Sequence, residues 1–332
     1  MKDLISQETT ERVKRDNCFD FLRYFFAFSL ILVHFCTLTN QEQFWFVTGQ
    51  MRVKAFFTIT GFLVVYSLLR RNSLKVYCWK RVYRIVPAYV VTILLCFFIG
   101  FFFSTASIKE YFLSQQSLKY LAANLSFMNF IEPSLPGLFT NNCYGSFVNG
   151  SLWSMKYEVL FYIAVPFMIF LMRKVRKIYV LAVVFIILTI YNQYHDNSMC
   201  TIIYFFSGTA ILLYFDRFCK HVKWIFPCCI LHFCLTLFYD YAFLYYIEPL
   251  VFSAIIVAVA YYCKPLNFLQ RYDNISYGLY LYHFPVIQVL VQYKLHQYNI
   301  YLTFILSLLI TVTLAVISWY MIEKPMLRRK IV

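Results

Sequence analysis

Arg23 and His34 stand eleven residues apart in DFLRYFFAFSLILVHF, a stretch that is otherwise almost wholly apolar. Eleven steps of about 100° make three turns plus roughly 20°, so a helix here carries both side chains on one stripe, about 16 Å apart along its axis. Asp20, three residues before Arg23, joins that stripe. An ionisable side chain at the centre of a membrane helix costs about 2.5–3.5 kcal/mol, so two on one span need a reason. Histidine, with an unperturbed pKa of about 6.5, is the natural general base, and an arginine can hold a carboxylate or phosphate.

Polar groups recur where lipid-facing positions would be apolar. SLWSMKYEVLFY places Ser154, Glu158 and Tyr162 on one helical face, next to Trp153. A carboxylate one to two turns into a membrane faces the bundle interior, where it either ties two helices together or serves chemistry. NISYGLYLYHFPVIQVL carries His283 about two turns in, with Ser276 and Tyr280 on nearby faces. An interhelical hydrogen bond is the alternative to a chemical role for that histidine. KRVYRIVPAY gathers Lys80, Arg81 and Arg84 into about one turn. Topogenic charge alone can explain them, yet Arg81 and Arg84 share a face in a spacing suited to phosphate groups.

The elements that must position these groups are membrane helices. The chain of 332 residues is 61% hydrophobic and 21% aromatic, which only an all-α polytopic membrane protein fits. Against a requirement of about 20 residues per span, apolar runs predict ten transmembrane helices. These lie near 20–38, 52–69, 85–104, 152–172, 177–192, 199–215, 224–240, 243–263, 275–293 and 301–322. With both termini cytoplasmic, most of the 30 Lys and Arg fall on the inner side, among them Arg70, Arg71, Lys75, Arg173, Lys174, Lys220, Arg328 and Arg329. That asymmetry supports ten helices and accounts for most of the net charge of +15, so nucleic acid is set aside as a partner. The first helix reads as uncleaved, and residues 1–332 as one membrane domain. Its long outside connection, 105–151, mixes aromatics with Asn, Ser, Gly and Pro, a composition that suits either a sugar-binding surface or a packed lid. Asn124 and Asn149 stand in N-x-S triplets, which arise often by chance. The eleven cysteines show no metal-ligand spacing; Cys143 and Cys200 both fall outside and can pair in an oxidising compartment.

Taken in order along the chain, these motifs resemble those of the membrane acyltransferase-3 family. Arg23 and His34 match its Arg-x10-His signature, and Asp20 the acidic residue that precedes it. FFTITGFLV at 56–64 is similar to FF-x-x-SGF-L, with Thr60 for the usual serine and Lys54 where many members carry an acid. RVYRIVPAY at 81–89 resembles R-x-x-R-I-x-P, and Trp153, Ser154 and Glu158 fit W-S-x-x-x-E. YFFSG at 204–208, ISYGLYLYHFP at 275–285 and IEKP at 322–325 complete the series. The stand-alone form of this length is similar to bacterial and phage O-antigen O-acetyltransferases of lipopolysaccharide.

The resemblance implies a bacterial inner-membrane enzyme that moves an acetyl group from cytoplasmic acetyl-CoA to a glycan hydroxyl, without a metal. It implies His34 as general base or transient acyl carrier, and Arg23 holding the CoA portion or pairing with Asp20. Arg81 and Arg84, beside Lys80, would take CoA phosphates, and Glu158 would orient the His34 imidazole. His283, read as lying deeper towards the inner side, would position the thioester or serve structure. Another envelope glycan or another acyl group is the alternative within the family. A proton-coupled transporter would also use intramembrane His, Glu and Arg, but it calls for discontinuous helices, and the chain has only eight glycines. A scaffold would need no ordered set of polar motifs.

Overall fold

The computed structural model describes residues 4–14, 17–42, 49–71, 73–194, 201–238 and 242–329; Cys200, and with it any pairing to Cys143, lies outside them. The regular elements among the described residues are all helices, with a single isolated bridge between Ser134 and Phe147. In order the helices are α1 (Gln7–Val13), α2 (Phe19–Leu38), α3 (Gly49–Arg71), α4 (Leu74–Gly100), α5 (Ile108–Leu113), α6 (Gln115–Leu125), α7 (Met155–Lys174) and α8 (Lys177–Tyr194). Then follow α9 (Ile203–Leu213), α10 (Phe215–Phe238), α11 (Ala242–Tyr262), α12 (Ser276–Gln292), α13 (Leu295–Tyr298), α14 (Ile300–Ser318) and α15 (Lys324–Leu327). Among the described residues, seven helices are long and apolar enough to cross a bilayer. The apolar runs at 177–192, 199–215 and 275–293 form the shorter helices α8, α9 and α12.

Local chemistry explains several boundaries. Ser6, Ser107, Ser114 and Asn299 each cap a helix by accepting a backbone N–H in its first turn. Helix α9 has eleven residues because Tyr214 leaves the helical region at φ −118°, and α10 starts at the next residue. The charged residues Asp216 to Lys223, expected in an inner loop, therefore form the first turns of α10. Asp216 belongs there: its carboxylate sits at a helix N-terminus and accepts the hydroxyls of Ser6 and Thr9 at 2.5 and 2.7 Å, fastening α1. The connection 105–151 is likewise not a plain loop, since it contains α5, α6 and a 3-10 turn, Gly150–Ser154.

The chain divides into two compact units. The first comprises 1–26, 50–77 and 157–273. At its centre α3 and α9 cross at backbone contact. A Cβ on Gly61 would lie 1.9 Å from the Phe205 carbonyl oxygen, and one on Gly208 2.2 Å from that of Thr58. Small residues at a membrane helix crossing let backbones approach, which replaces the hydrophobic drive that lipid removes. Thr209 Oγ1 donates to the Gly61 carbonyl at 3.1 Å, and the Phe205 ring stacks with those of Phe57 and Phe161 at 4.0 and 4.3 Å. FFTITGF and YFFSG are thus two halves of one crossing.

The second unit comprises 27–49, 78–156 and 274–332. Here α12 lies against α14 at Gly278, whose added Cβ would meet the Ala315 Cα at 2.8 Å. Tyrosines fix the 105–151 connection: Tyr89 of α4 donates its hydroxyl to the Asn124 carbonyl at 2.9 Å, and Tyr111 donates to that of Phe97 at 3.0 Å. Burial pushes the phenols of Tyr111 and Tyr120 up, so both stay neutral hydrogen-bonding groups. Asn124 and Asn149 are buried and spend their amides on backbone carbonyls, so their N-x-S context is structural here.

Candidate active site

In the second unit α2 and α12 bring two histidines into contact. His34 Nδ1 lies 2.7 Å from His283 Nε2, with the rings near parallel at 9° and centroids 5.0 Å apart. The expectation that His283 sits deeper than His34 is therefore overturned. His283 is fully buried, and its Nδ1 lies 2.9 Å from the Leu279 carbonyl oxygen one turn back. A carbonyl only accepts, so that Nδ1 carries a proton; in a neutral ring this makes Nε2 the acceptor. With both rings neutral, His34 donates from Nδ1 and has its lone pair on Nε2. The assignment follows from proton bookkeeping along the chain Leu279–His283–His34. Phe284 closes one side, its ring edge-on to His34 at 5.5 Å and 81°.

Ser154 and Tyr280 meet in the same unit, their hydroxyl oxygens 3.0 Å apart. Tyr280 donates to the Ser151 carbonyl, so the proton in the shared bond comes from Ser154. Both hydroxyls are thus committed to fastening the Gly150–Ser154 turn onto α12. That turn backs directly onto Phe284, whose ring would be 2.7 Å from a Cβ on Gly150. Trp153 lies half-buried on the same turn. The arrangement makes Ser154 and Tyr280 positioning groups for the wall beside His34.

Among the basic residues of α4, Arg84 meets a carboxylate that the sequence reading had not paired with it. Its Nη1 lies 3.7 Å from the buried Glu323 carboxylate of the E-K-P motif, with the guanidinium 5.9 Å from the Tyr277 ring and 5.8 Å from that of Trp319. Glu323 ends a π-helical turn, Trp319–Glu323, an irregularity that often marks functional positions. Tyr277 in turn donates its hydroxyl to the Ile85 carbonyl at 3.0 Å. Arg84 is thus largely spent on a buried counter-ion and two rings. Lys80 and Arg81 lie half-buried one turn before it.

The first unit holds the remaining candidates. Arg23 pairs with Asp20 at 3.3 Å, as their i, i+3 spacing implies, and both are about one quarter exposed. Glu158 accepts the hydroxyl of Tyr162, one turn on. A cluster absent from the sequence reading lies at Lys54, which reaches Glu248 of α11 at 3.1 Å and sits 5.2 Å from the centroid of the Tyr204 ring; Tyr204 also donates to Glu248. Lys54 departs from the family pattern, and Glu248 supplies an acid beside it. Ion pairs between distant helices leave no periodic trace in one sequence. Among the described residues, no group of three or more His, Cys, Asp and Glu is arranged to hold a metal ion.

Against known families, the acyltransferase domain of the acyltransferase-3 type matches residues 16–323. The chain belongs to this family. It is an acyltransferase. An O-acetyl transferase of Shigella phage Sf6 is 27% identical over 95% of this chain and 97% of its own length. Nodulation protein 10 of Rhizobium leguminosarum bv. viciae is also 27% identical, over 94% of this chain and 93% of its own. No solved structure matches.

Proposed function

We propose that this acyltransferase moves an acetyl group from acetyl-CoA to a sugar hydroxyl of a cell-surface polysaccharide, with the O-antigen of lipopolysaccharide as first candidate. The observation that carries the reading is the His34–His283 pair. A sugar hydroxyl is a poor nucleophile at neutral pH, so transfer needs a positioned base. His34 Nε2 takes the hydroxyl proton while the oxygen attacks the thioester carbonyl. The C–S bond then breaks, and the CoA sulfur leaves with the proton that the imidazolium returns. His283 accepts from His34 Nδ1 throughout, and that hydrogen bond strengthens as charge develops on the ring. Acetyl is taken over other acyl groups because the Shigella phage relative is an O-acetyl transferase.

The donor's phosphates are assigned to Lys80 and Arg81, with Arg84 adding what its bond to Glu323 leaves. Arg23 with Asp20, and Glu158, keep their catalytic assignments on the sequence motifs alone. In this proposal the chain is one membrane domain of ten spans in the bacterial inner membrane, with both termini cytoplasmic. The shorter helices α8, α9 and α12 complete the ten. The basic turn at 80–84 then faces the compartment that supplies acetyl-CoA.

The test is transfer of label from acetyl-CoA to lipopolysaccharide in membranes that contain the chain, beside His34→Ala and Arg23→Ala variants inserted at equal level. Label is expected with the unsubstituted chain and in neither variant. Label that survives loss of His34 refutes the mechanism.

A further inference from the structure

We propose that Tyr144 and Phe147, in the outer segment of the second unit, form the platform on which a pyranose ring of the acceptor stacks, and that Gln288 holds that platform in place. The inference rests on the reading of the acceptor as a glycan, and it names where the sugar sits.

Both rings are large and yet left outside, with exposures of 47% and 40%. Their centroids are 5.9 Å apart. Tyr144 also meets Phe284 at 6.3 Å, and Phe284 meets His34 at 5.5 Å. Two ring contacts therefore connect the platform to the proposed base. The backbone beneath is held with unusual care. Gly145 N–H donates to the Asn142 carbonyl at 2.9 Å to close a turn, and Gly145 sits at φ +84°, a conformation that costs glycine little. Gln288 of α12 is fully buried and donates its amide to the Phe147 carbonyl at 2.8 Å and the Gly145 carbonyl at 3.2 Å. Its own oxygen accepts from Asn142 Nδ2 at 2.8 Å. On the other side, Val148 N–H donates to the Pro133 carbonyl at 2.9 Å, and Phe147 bridges to Ser134.

A buried side-chain amide inside a membrane protein is expensive unless its polar atoms are satisfied. Here they are satisfied by the Asn142 side chain and by the backbone carbonyls of Gly145 and Phe147. A packed lid would turn its aromatic rings inward; this turn fixes the backbone and leaves the rings out. Aromatic faces bind the C–H face of a sugar ring while its hydroxyls stay hydrogen-bonded, which suits an amphipathic ligand. Ser146, between the two rings in sequence, and Ser134 offer such partners, with their hydroxyls 3.0 Å apart. The competing role is that of interfacial aromatics that anchor the chain at the membrane surface.

The experiment measures initial rates of acetyl transfer in membranes at saturating labelled acetyl-CoA, with smooth lipopolysaccharide as the varied acceptor. Tyr144→Ala and Phe147→Ala should each raise KM for the acceptor about two- to tenfold, the range of one aromatic contact. KM for acetyl-CoA and the amount of inserted protein should not move. Tyr144→Phe and Phe147→Tyr should restore acceptor binding, and Gln288→Ala should raise the acceptor KM by loosening the turn. An unchanged acceptor KM in the Tyr144→Ala, Phe147→Ala double variant overturns the platform, and so does a loss that follows the amount of inserted protein. An unsubstituted chain that transfers nothing to lipopolysaccharide overturns the reading underneath and this inference with it, whereas normal transfer with an indifferent double variant overturns this inference alone.

Discussion

Replacing His283 by alanine removes the partner of the 2.7 Å contact at His34 Nδ1 and leaves the proposed base itself in place. A hydrogen bond to a charged group contributes about 1.5–3 kcal/mol, and here it reaches that strength only when His34 becomes an imidazolium. The loss therefore falls on the transition state. At about 1.4 kcal/mol per factor of ten, kcat should drop about 10- to 150-fold, with KM for both substrates nearly unchanged. On the proposed mechanism, loss of His34 removes general base catalysis and should cost about 10²- to 10⁴-fold. His283→Gln offers an amide oxygen in place of Nε2 and should recover part of the deficit. The assay is single-turnover transfer of label from acetyl-CoA, normalised to inserted protein. The double variant His34→Ala, His283→Ala should be no slower than His34→Ala, because the second ring acts through the first. Full activity in His283→Ala, or additive losses in the double variant, refutes the coupling of the two rings.

Two further predictions come from the packing. Glu323→Gln and Arg84→Ala break the same buried pair and should each lower stability by about 1–3 kcal/mol, less than a fully dry pair because Arg84 is about one quarter exposed. Thermal unfolding of the solubilised protein should show the two losses as non-additive, while Arg81→Ala should keep its Tm and raise KM for acetyl-CoA; additive losses would show that the two groups do not act as a pair. Gly61→Ala and Gly208→Ala each drive a methyl into a backbone carbonyl, where no side chain can give way, and should cost about 1–3 kcal/mol or more. A Tm within a degree of the unsubstituted protein in either variant would disprove the close crossing of α3 and α9.

The helical class, the polar stripe on α2 and the Asp20–Arg23 pair were legible in the sequence because each rests on local spacing. Helix periodicity places neighbours three and four residues apart, and hydropathy marks a span wherever about 20 apolar residues run together. What escaped the sequence depends on contacts between distant segments. His34 and His283 are 249 residues apart in the chain, and a depth read from span ends put them on different levels. Arg84 carried the signal of a phosphate ligand because a buried Glu323 leaves no mark near it. Gly61 and Gly208 lay inside recognised motifs, but nothing in either motif showed that they face each other's helix. The charged start of α10 looked like a loop because hydropathy responds to composition and not to the caps that fix a helix end.

The choice of a second imidazole as partner for His34 has a physical logic in a membrane. A carboxylate there would carry a permanent negative charge, which must be desolvated in the resting enzyme and compensated by a cation. Arg84–Glu323, Asp20–Arg23 and Lys54–Glu248 all meet that demand with a counter-ion. In the proposed mechanism the two rings are neutral at rest, so the pair has no charge to compensate, and the Leu279 carbonyl keeps the proton on His283 Nδ1. In the proposed mechanism charge arises only while the acceptor hydroxyl gives up its proton, and only then does His283 have something to stabilise. The interaction is thus weak in the ground state and stronger in the transition state, the condition under which binding energy accelerates the chemical step. A carboxylate in the place of His283 would hold the imidazolium more tightly, but it would also favour protonation of His34 before the acceptor arrives, and a protonated imidazole is no base. For a base that must stay unprotonated at neutral pH inside a low-dielectric site, a neutral partner with a fixed tautomer is the better arrangement.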